Sequence, residues 1–313
     1  MLKSQALKSH PIVSRFGGIQ YPQEKNEALR HFQKVLEESP APGAASPSSP
    51  LTLIVPHIDF RVNSSLYGTS YKRLLSQKIW PEVFVILGVG HRCPYEIASI
   101  PIDYKTVLGS IETNLEQWNF MKNATEFQLD RGGDSFLGEH SLEFVAIWIQ
   151  ALHALRGDVG KPKIIPVLMG GLHDEIHNGQ IPSPQSEFGL FAAGFQAWLK
   201  SMDLAKVCII ASIDGCHVGP RFRHAFEATE HVQKVVTKWE KELWERCSSS
   251  TFVEFFGHLI GTENSFYFDG VGVLSLLLKT LSVQAKIDET ALWYEEEDHS
   301  FVTFSGGCMT DDE

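Results

Sequence analysis

Four short runs, LTLIV (Leu51–Val55), VFVIL (Val83–Leu87), KIIPVL (Lys163–Leu168) and KVCIIA (Lys206–Ala211), are apolar almost throughout and show no polar alternation. A strand that is apolar on both sides has to be covered on both sides, as in a parallel sheet buried between helices. Segments with apolar residues at helical spacing separate and follow these runs: Ser64–Gln77, His140–Arg156, Ser186–Ser201, Arg221–Arg246 and Gly270–Val283. The alternation predicts an α/β fold, a three-layer α/β/α arrangement around a central, mostly parallel sheet. Two last strands, near Ala291–Tyr294 and Phe301–Met309, are expected to pair antiparallel and make the sheet mixed. Ahead of the first run, EKNEALRHFQKVLEES sets Leu29, Phe32, Val35 and Leu36 on one helical face. The Pro/Ala/Ser-rich stretch Glu38–Pro50 reads as a flexible surface loop. With 313 residues and 43% hydrophobic content, the chain can fill one large domain spanning residues 1–313.

Composition removes several function classes. A net charge of −11 without a basic block argues against nucleic acid or an anionic membrane surface as partner. No stretch approaches the roughly 20 apolar residues that span a bilayer, and MLKSQALKSHPIVSRF lacks the apolar core of a secretory signal. The five cysteines are scattered, odd in number and form no CxxC pair, so a cytoplasmic, reducing setting is expected. Neither GxGxxG nor GxxxxGK[ST] occurs, which leaves nucleotide binding without support.

Ionisable residues gather at the ends of the apolar runs. His57 and Asp59 follow the first strand and His91 the second; Asp214 and His217 follow the fourth. Glu139, His140 and Glu143 open a helix, and Glu263 and Asp269 precede the last apolar helix. Taken singly, each has a plain structural role: a helix-start carboxylate, a turn, a surface histidine. Together they occupy the carboxyl ends of successive strands, where α/β sheets bind their ligands. Two histidines and one carboxylate leave coordination positions open on a divalent metal, a set that suits non-haem Fe(II). A further histidine, His217 or His140, would move protons there, oriented by Asp214 or Glu143. Cys216, beside His217, reads as a small buried residue.

The segments VPHIDF…SSLYGTSYKRL, VFVILGVGHR, GEHSLEF, IIPVLMG and ASIDGCHVGPRFRH, taken in order, resemble the Memo family, whose bacterial members are called AmmeMemoRadiSam system protein B. The resemblance runs from about residue 14 to 310. It implies a fold similar to the class III extradiol dioxygenases, which open catechol rings with Fe(II). It also implies a vestibule whose ligating histidines fall on His57 and His91. The family's further segments fall on Asp214 and His217, and on Glu139, His140, Ser141 and Glu143. The family's third ligand, a cysteine before a late helix, falls on Asp269, with Glu263 as the alternative. A carboxylate there shifts the expected metal toward Fe(II), with Zn, Mn or Cu as alternatives. The resemblance implies a dioxygenase-like oxidoreductase, with a peptide- or ligand-binding module as the other reading. Memo-like proteins of animals are linked to phosphopeptide recognition. Arg61, Arg92, Arg221 and Arg223 are the few cations near the expected pocket, which makes it a modest phosphate binder. The bacterial family name adds radical-SAM and AMMECR-like proteins as expected partners.

Overall fold

The computed structural model describes residues 11–249 and 251–311. The stretch MLKSQALKSH, on which most of the secretory-signal reading rests, lies outside them. In chain order the strands are β1 (Ile12–Val13), β2 (Leu51–Val55), β3 (Val83–Val89), β4 (Ile97–Ala98), β5 (Tyr104–Thr106), β6 (Gly109–Thr113), β7 (Lys163–Met169), β8 (Val207–Ser212), β9 (His217–Val218), β10 (Val283–Glu295) and β11 (Ser300–Asp311). The helices are α1 (Lys25–Glu38), α2 (Phe60–Leu75), α3 (Leu115–Ala124), α4 (His140–Arg156), α5 (His173–His177), α6 (Glu187–Lys200), α7 (Glu230–Ser249), α8 (Phe252–Ile260) and α9 (Val271–Thr280). The sheet runs β1-β5-β6-β7-β3-β8-β2-β11-β10, with β4 beside β7 and β9 beside β11. Its centre, β6-β7-β3-β8-β2, is parallel; β11 and β10 add an antiparallel edge. The α/β expectation with a mostly parallel, mixed sheet therefore holds.

Side chains of a strand alternate between faces, and here both faces are core. Val85 and Leu87 of β3, with Ile209 and Ala211 of β8, pack on the side of α6, α7 and α9. Phe84 and Ile86, with Cys208 and Ile210, pack on the side of α1, α2 and α4. This explains the missing polar alternation in the sequence. Helix α4 is buried from Ser141 to Leu152 and carries Trp148 into an aromatic nest, 4.8 Å from the Tyr71 ring and 4.7 Å from Phe32. It starts on Glu139, whose carboxylate accepts from Ser141 N–H, and ends on Gly157 at φ 75°.

Three segments differ from the sequence reading. The helix expected from Arg221 begins only at Glu230. Gly219 and Pro220 break the chain there, and His217–Val218 is taken instead to pair with β11. The last hairpin is far longer than expected, because the polar outward residues of β10 hide its period. The Pro/Ser-rich segment has no regular structure after Ser39, yet it is tied to the sheet edge: Gly43 N–H donates to Asp288 (2.9 Å) and Ser48 N–H to the Met309 carbonyl (2.8 Å). Among the described residues no helix is long and apolar enough to cross a membrane.

Helix α4 approaches β3 closely because Gly88 has no side chain. A Cβ there would sit 2.6 Å from Ser141 Oγ and 2.8 Å from Leu142 Cδ2. Gly88→Ala is expected to cost ~1–3 kcal/mol in urea unfolding, the usual range for an overpacked core. Unchanged stability would show that α4 shifts freely.

Candidate metal centre

The site follows from strand register. Val55 of β2 stands level with Ser212 of β8, and Ser212 with Gly88 of β3. Three neighbouring strands therefore stop at nearly one height. Two residues past the end of each comes an ionisable group: His57 after β2, Asp214 after β8, His91 after β3. Helix α4 brings His140 to the same place. Ser141 Oγ donates to the Val89 carbonyl (2.9 Å) and pins the helix start to the end of β3. Helix α9 brings Asp269, the residue just before its N-cap Gly270.

One ligand atom from each of His57, His91 and His140 lies within 4.8 Å of the other two. The ring centroids are 4.5–5.0 Å apart. Hydrogen bonds set which nitrogen faces inward. His57 Nδ1 sits 3.1 Å from the Ser212 carbonyl, which assigns the proton to Nδ1 and leaves Nε2 toward the centre. His91 Nδ1 sits 2.9 Å from Glu139 Oε1, a carboxylate–histidine pair of the kind that orients metal ligands. The same carboxylate caps α4, accepts from His91 N–H (3.2 Å) and lies 3.4 Å from His140 Nδ1. His57 is 1% exposed, whereas the His91 and His140 side chains are 33% and 35% exposed, so the centre opens to solvent on their side. Asp269 Oδ2 lies 3.1 Å from His57 Nε2. Yet His57 Nε2 and both Asp269 oxygens are buried without an aligned hydrogen bond. Buried polar atoms of this kind ask for a partner, and an imidazole nitrogen beside a carboxylate oxygen is a donor set that fits a divalent cation.

The electrostatics favour a positive charge at this spot. Burial pulls the His57 pKa down, but Asp214 and Asp269 outweigh it and raise it to about 10. Burial works against the Asp269 carboxylate too, and the His57 charge overrides it and lowers its pKa. For Asp214 burial prevails and the pKa rises. Burial, with His57 and His91 close by, drives His140 down to about 3. Glu139 is pushed up by burial and down by His91 and His140, ending at about 2.

The donor atoms that lie within 4.8 Å of one another are those of His57, His91 and His140; Asp269 adjoins them through His57. His140, read in the sequence as a proton carrier, stands beside the other two imidazoles, because its helix starts on the carboxylate that holds His91. His217 stands at the edge of the same vestibule, its Nδ1 on the carbonyls of Gly215 (3.2 Å) and Tyr267 (3.3 Å) and its ring edge-on to Phe222. Asp214 does not orient it. The Oδ1 of Asp214 accepts from the backbone N–H groups of His57 (2.8 Å) and Ile58 (3.1 Å), fixing the turn that carries His57. Glu143 orients no site histidine either. It is buried one turn along α4 and accepts from Ser14 Oγ, Arg15 N–H, Phe16 N–H and Tyr21 Oη, at 2.6–3.1 Å. It thereby anchors the N-terminal segment, whose Phe16 ring lies 6.2 Å from His140. Glu263 points to solvent beside His177 (3.7 Å) and is no alternative to Asp269. Cys216 is fully buried, and burial raises its thiol pKa. Asp59 caps α2 and pairs with Arg61.

A sheet that ends in clustered histidines over a helix N-terminus defines an α/β protein with a vestibule suited to a metal. The family model described as Memo-like protein matches residues 13–305, and the chain belongs to this family. A relative, a MEMO1 family protein of Aquifex aeolicus (strain VF5), is 24% identical over 263 residues; the match covers 81% of this chain and 62% of that protein, so the chain spans less than two thirds of its length.

In metal-free protein, nitrogen NMR is expected to find His57 charged and His140 neutral at pH 7. A His pKa raised on folding contributes stability that is complete below the unfolded value of 6.5 and disappears as pH rises through about 10. Asp269→Asn should lower the His57 pKa; a His57 that is neutral at pH 7 in the parent protein would contradict this electrostatic picture.

Proposed function

We propose that the vestibule is a divalent-metal centre with His57, His91 and His140 as ligands and Asp269 beside them, serving a dioxygenase-like oxidoreductase that acts on a small molecule. The observation that carries this reading is the meeting of three imidazole donor atoms next to a buried carboxylate whose near neighbour is one of those imidazoles. Nitrogen donors with a hard oxygen favour Fe(II), Zn(II) or Mn(II) over Cu(I), and Fe(II) is our choice for the open side of the site. Bound there, the metal would supply a Lewis acid with positions free for substrate and dioxygen. The protein's own part is to orient and to move protons. Glu139 and the Ser212 carbonyl hold the His91 and His57 rings. Asp214 holds the turn beneath His57. His217, with Nδ1 engaged by two carbonyls, has Nε2 left to exchange a proton with a substrate hydroxyl.

A second reading, capture of a ligand without turnover, draws on the aromatic rim. The His224 ring lies 4.8 Å from Phe226 and 4.6 Å from Tyr267, and both of these side chains are exposed. Of the four arginines near the site, Arg61 is paired with Asp59 and Arg221 with Asp298 and Glu295, so half of the charge open to a phosphorylated ligand is already engaged.

Metal analysis of protein purified without an affinity tag is expected to find about one iron per chain, lost in His57→Ala and His91→Ala. Glu139→Gln, which removes only the carboxylate behind His91, should weaken the metal by ~10–100-fold. Metal-free protein that cannot be loaded would end the metal reading. Fully iron-loaded protein that takes up no oxygen with a panel of catechols would leave ligand capture as the function.

A further inference from the structure

Behind the site lies a buried acid with no role so far. Glu240, on α7, is 1% exposed and lines the inner wall of a cavity of about 690 Å³ between α7 and β10. Its neighbours are the Thr303 hydroxyl and the Trp244 indole, but neither carboxyl oxygen has an aligned hydrogen bond. On the far side the carboxyl presses on Gly215. A Cβ at Gly215 would run into Glu240 Oε1 and Thr303 Oγ1, so the turn accepts only a residue without a side chain. That turn joins the parts of the metal centre. Gly215 N–H donates to the Thr303 carbonyl (2.7 Å), Cys216 N–H to Thr303 Oγ1 (2.7 Å), and Asp269 N–H to the Gly215 carbonyl (3.2 Å). Asp214, one residue earlier, holds the backbone of His57.

We propose that Glu240 is a positioning residue of the centre: its buried carboxyl braces the Asp214–Cys216 turn from behind and so fixes Asp214 and Asp269 against His57. The service to a metal rests on the function proposed above; the bracing itself belongs to the metal-free protein. Burial is the main reason the acid holds its proton to higher pH than an ordinary carboxylate. Thr303 and Trp244 act the other way, Asp269 and Asp214 add to burial, and the pKa ends at about 7. The titratable groups around Glu240 are Asp269 and Asp214 across the turn, the Cys216 thiol, itself pushed up by burial, and Lys241, Glu245 and Lys286, which line the same cavity. Neither lysine forms an ion pair with the carboxyl, whose oxygens are buried, so ionised Glu240 would be an anion without a bonded counter-charge.

The test is hydrogen exchange on the metal-free full chain, read at the Gly215, Cys216 and Asp269 amides. Glu240→Ala is expected to lose protection there by about tenfold, the scale of one buried polar contact, while amides in the middle of β7 keep theirs. Glu240→Gln, which keeps shape and neutrality, should match the parent within about twofold. Should Glu240→Ala fail to fold, a pH series decides. A raised acid pKa makes the parent lose stability as pH climbs from 4.5 to about 7, so the melting temperature of Glu240→Gln should gain on the parent across that range and then run parallel. Parallel melting curves throughout, a folded Glu240→Ala with full protection at the turn, or a Glu240→Gln as unprotected as the alanine variant would each overturn the proposal. Co(II) titration of the parent separates the two readings: no Co(II) uptake defeats the metal centre and leaves the bracing result standing.

Discussion

The register that sets Val55, Ser212 and Gly88 side by side is the constraint on which the rest depends. Parallel pairing aligns three strand ends, and each strand then needs only two or three residues to deliver a functional group to the same spot. Ser212 takes part twice: its backbone completes the register, and its carbonyl turns the His57 ring. A slip of one residue in β8 would move Asp214 away from the His57 turn and reverse every side chain of the strand between the two cores.

Carboxylates do most of the positioning around that line, each tied to backbone as well as to a side chain. Glu139 is at once the cap of α4 and the partner of His91, so helix formation and ligand orientation share one residue. Asp214 grips the His57 turn through two N–H groups. Glu143 uses the same device to hold the N-terminal segment, and this brings Phe16 toward His140. The buried negative charge of Asp214 and Asp269 is balanced within the centre by His57, whose proton affinity these carboxylates raise.

Much of this was legible in the chain. The bounds of β2 and α4 coincide with the apolar run Leu51–Val55 and the helical run His140–Arg156, because burial on every side leaves a pattern that needs no partner to be read. The strand-end positions of His57 and His91 followed from the same runs. The start of α7 was not legible, since residues 221–229 have helical content but are spent on the turn that follows β9. Most of β10 was hidden because its exposed face is polar and it depends on β11 for its bonds.

The sequence by itself determined the layered α/β architecture, the family, and the end of the sheet where chemistry gathers, since apolar period and local punctuation act over a few residues. Tertiary structure alone decided which groups meet. His140 joined His57 and His91 because α4 packs on Gly88, Asp214 turned to the His57 backbone because β2 and β8 are neighbours, and Glu240 came to lie behind the site from 25 residues beyond Gly215. Such meetings depend on distances across the sheet, which no spacing along the chain encodes.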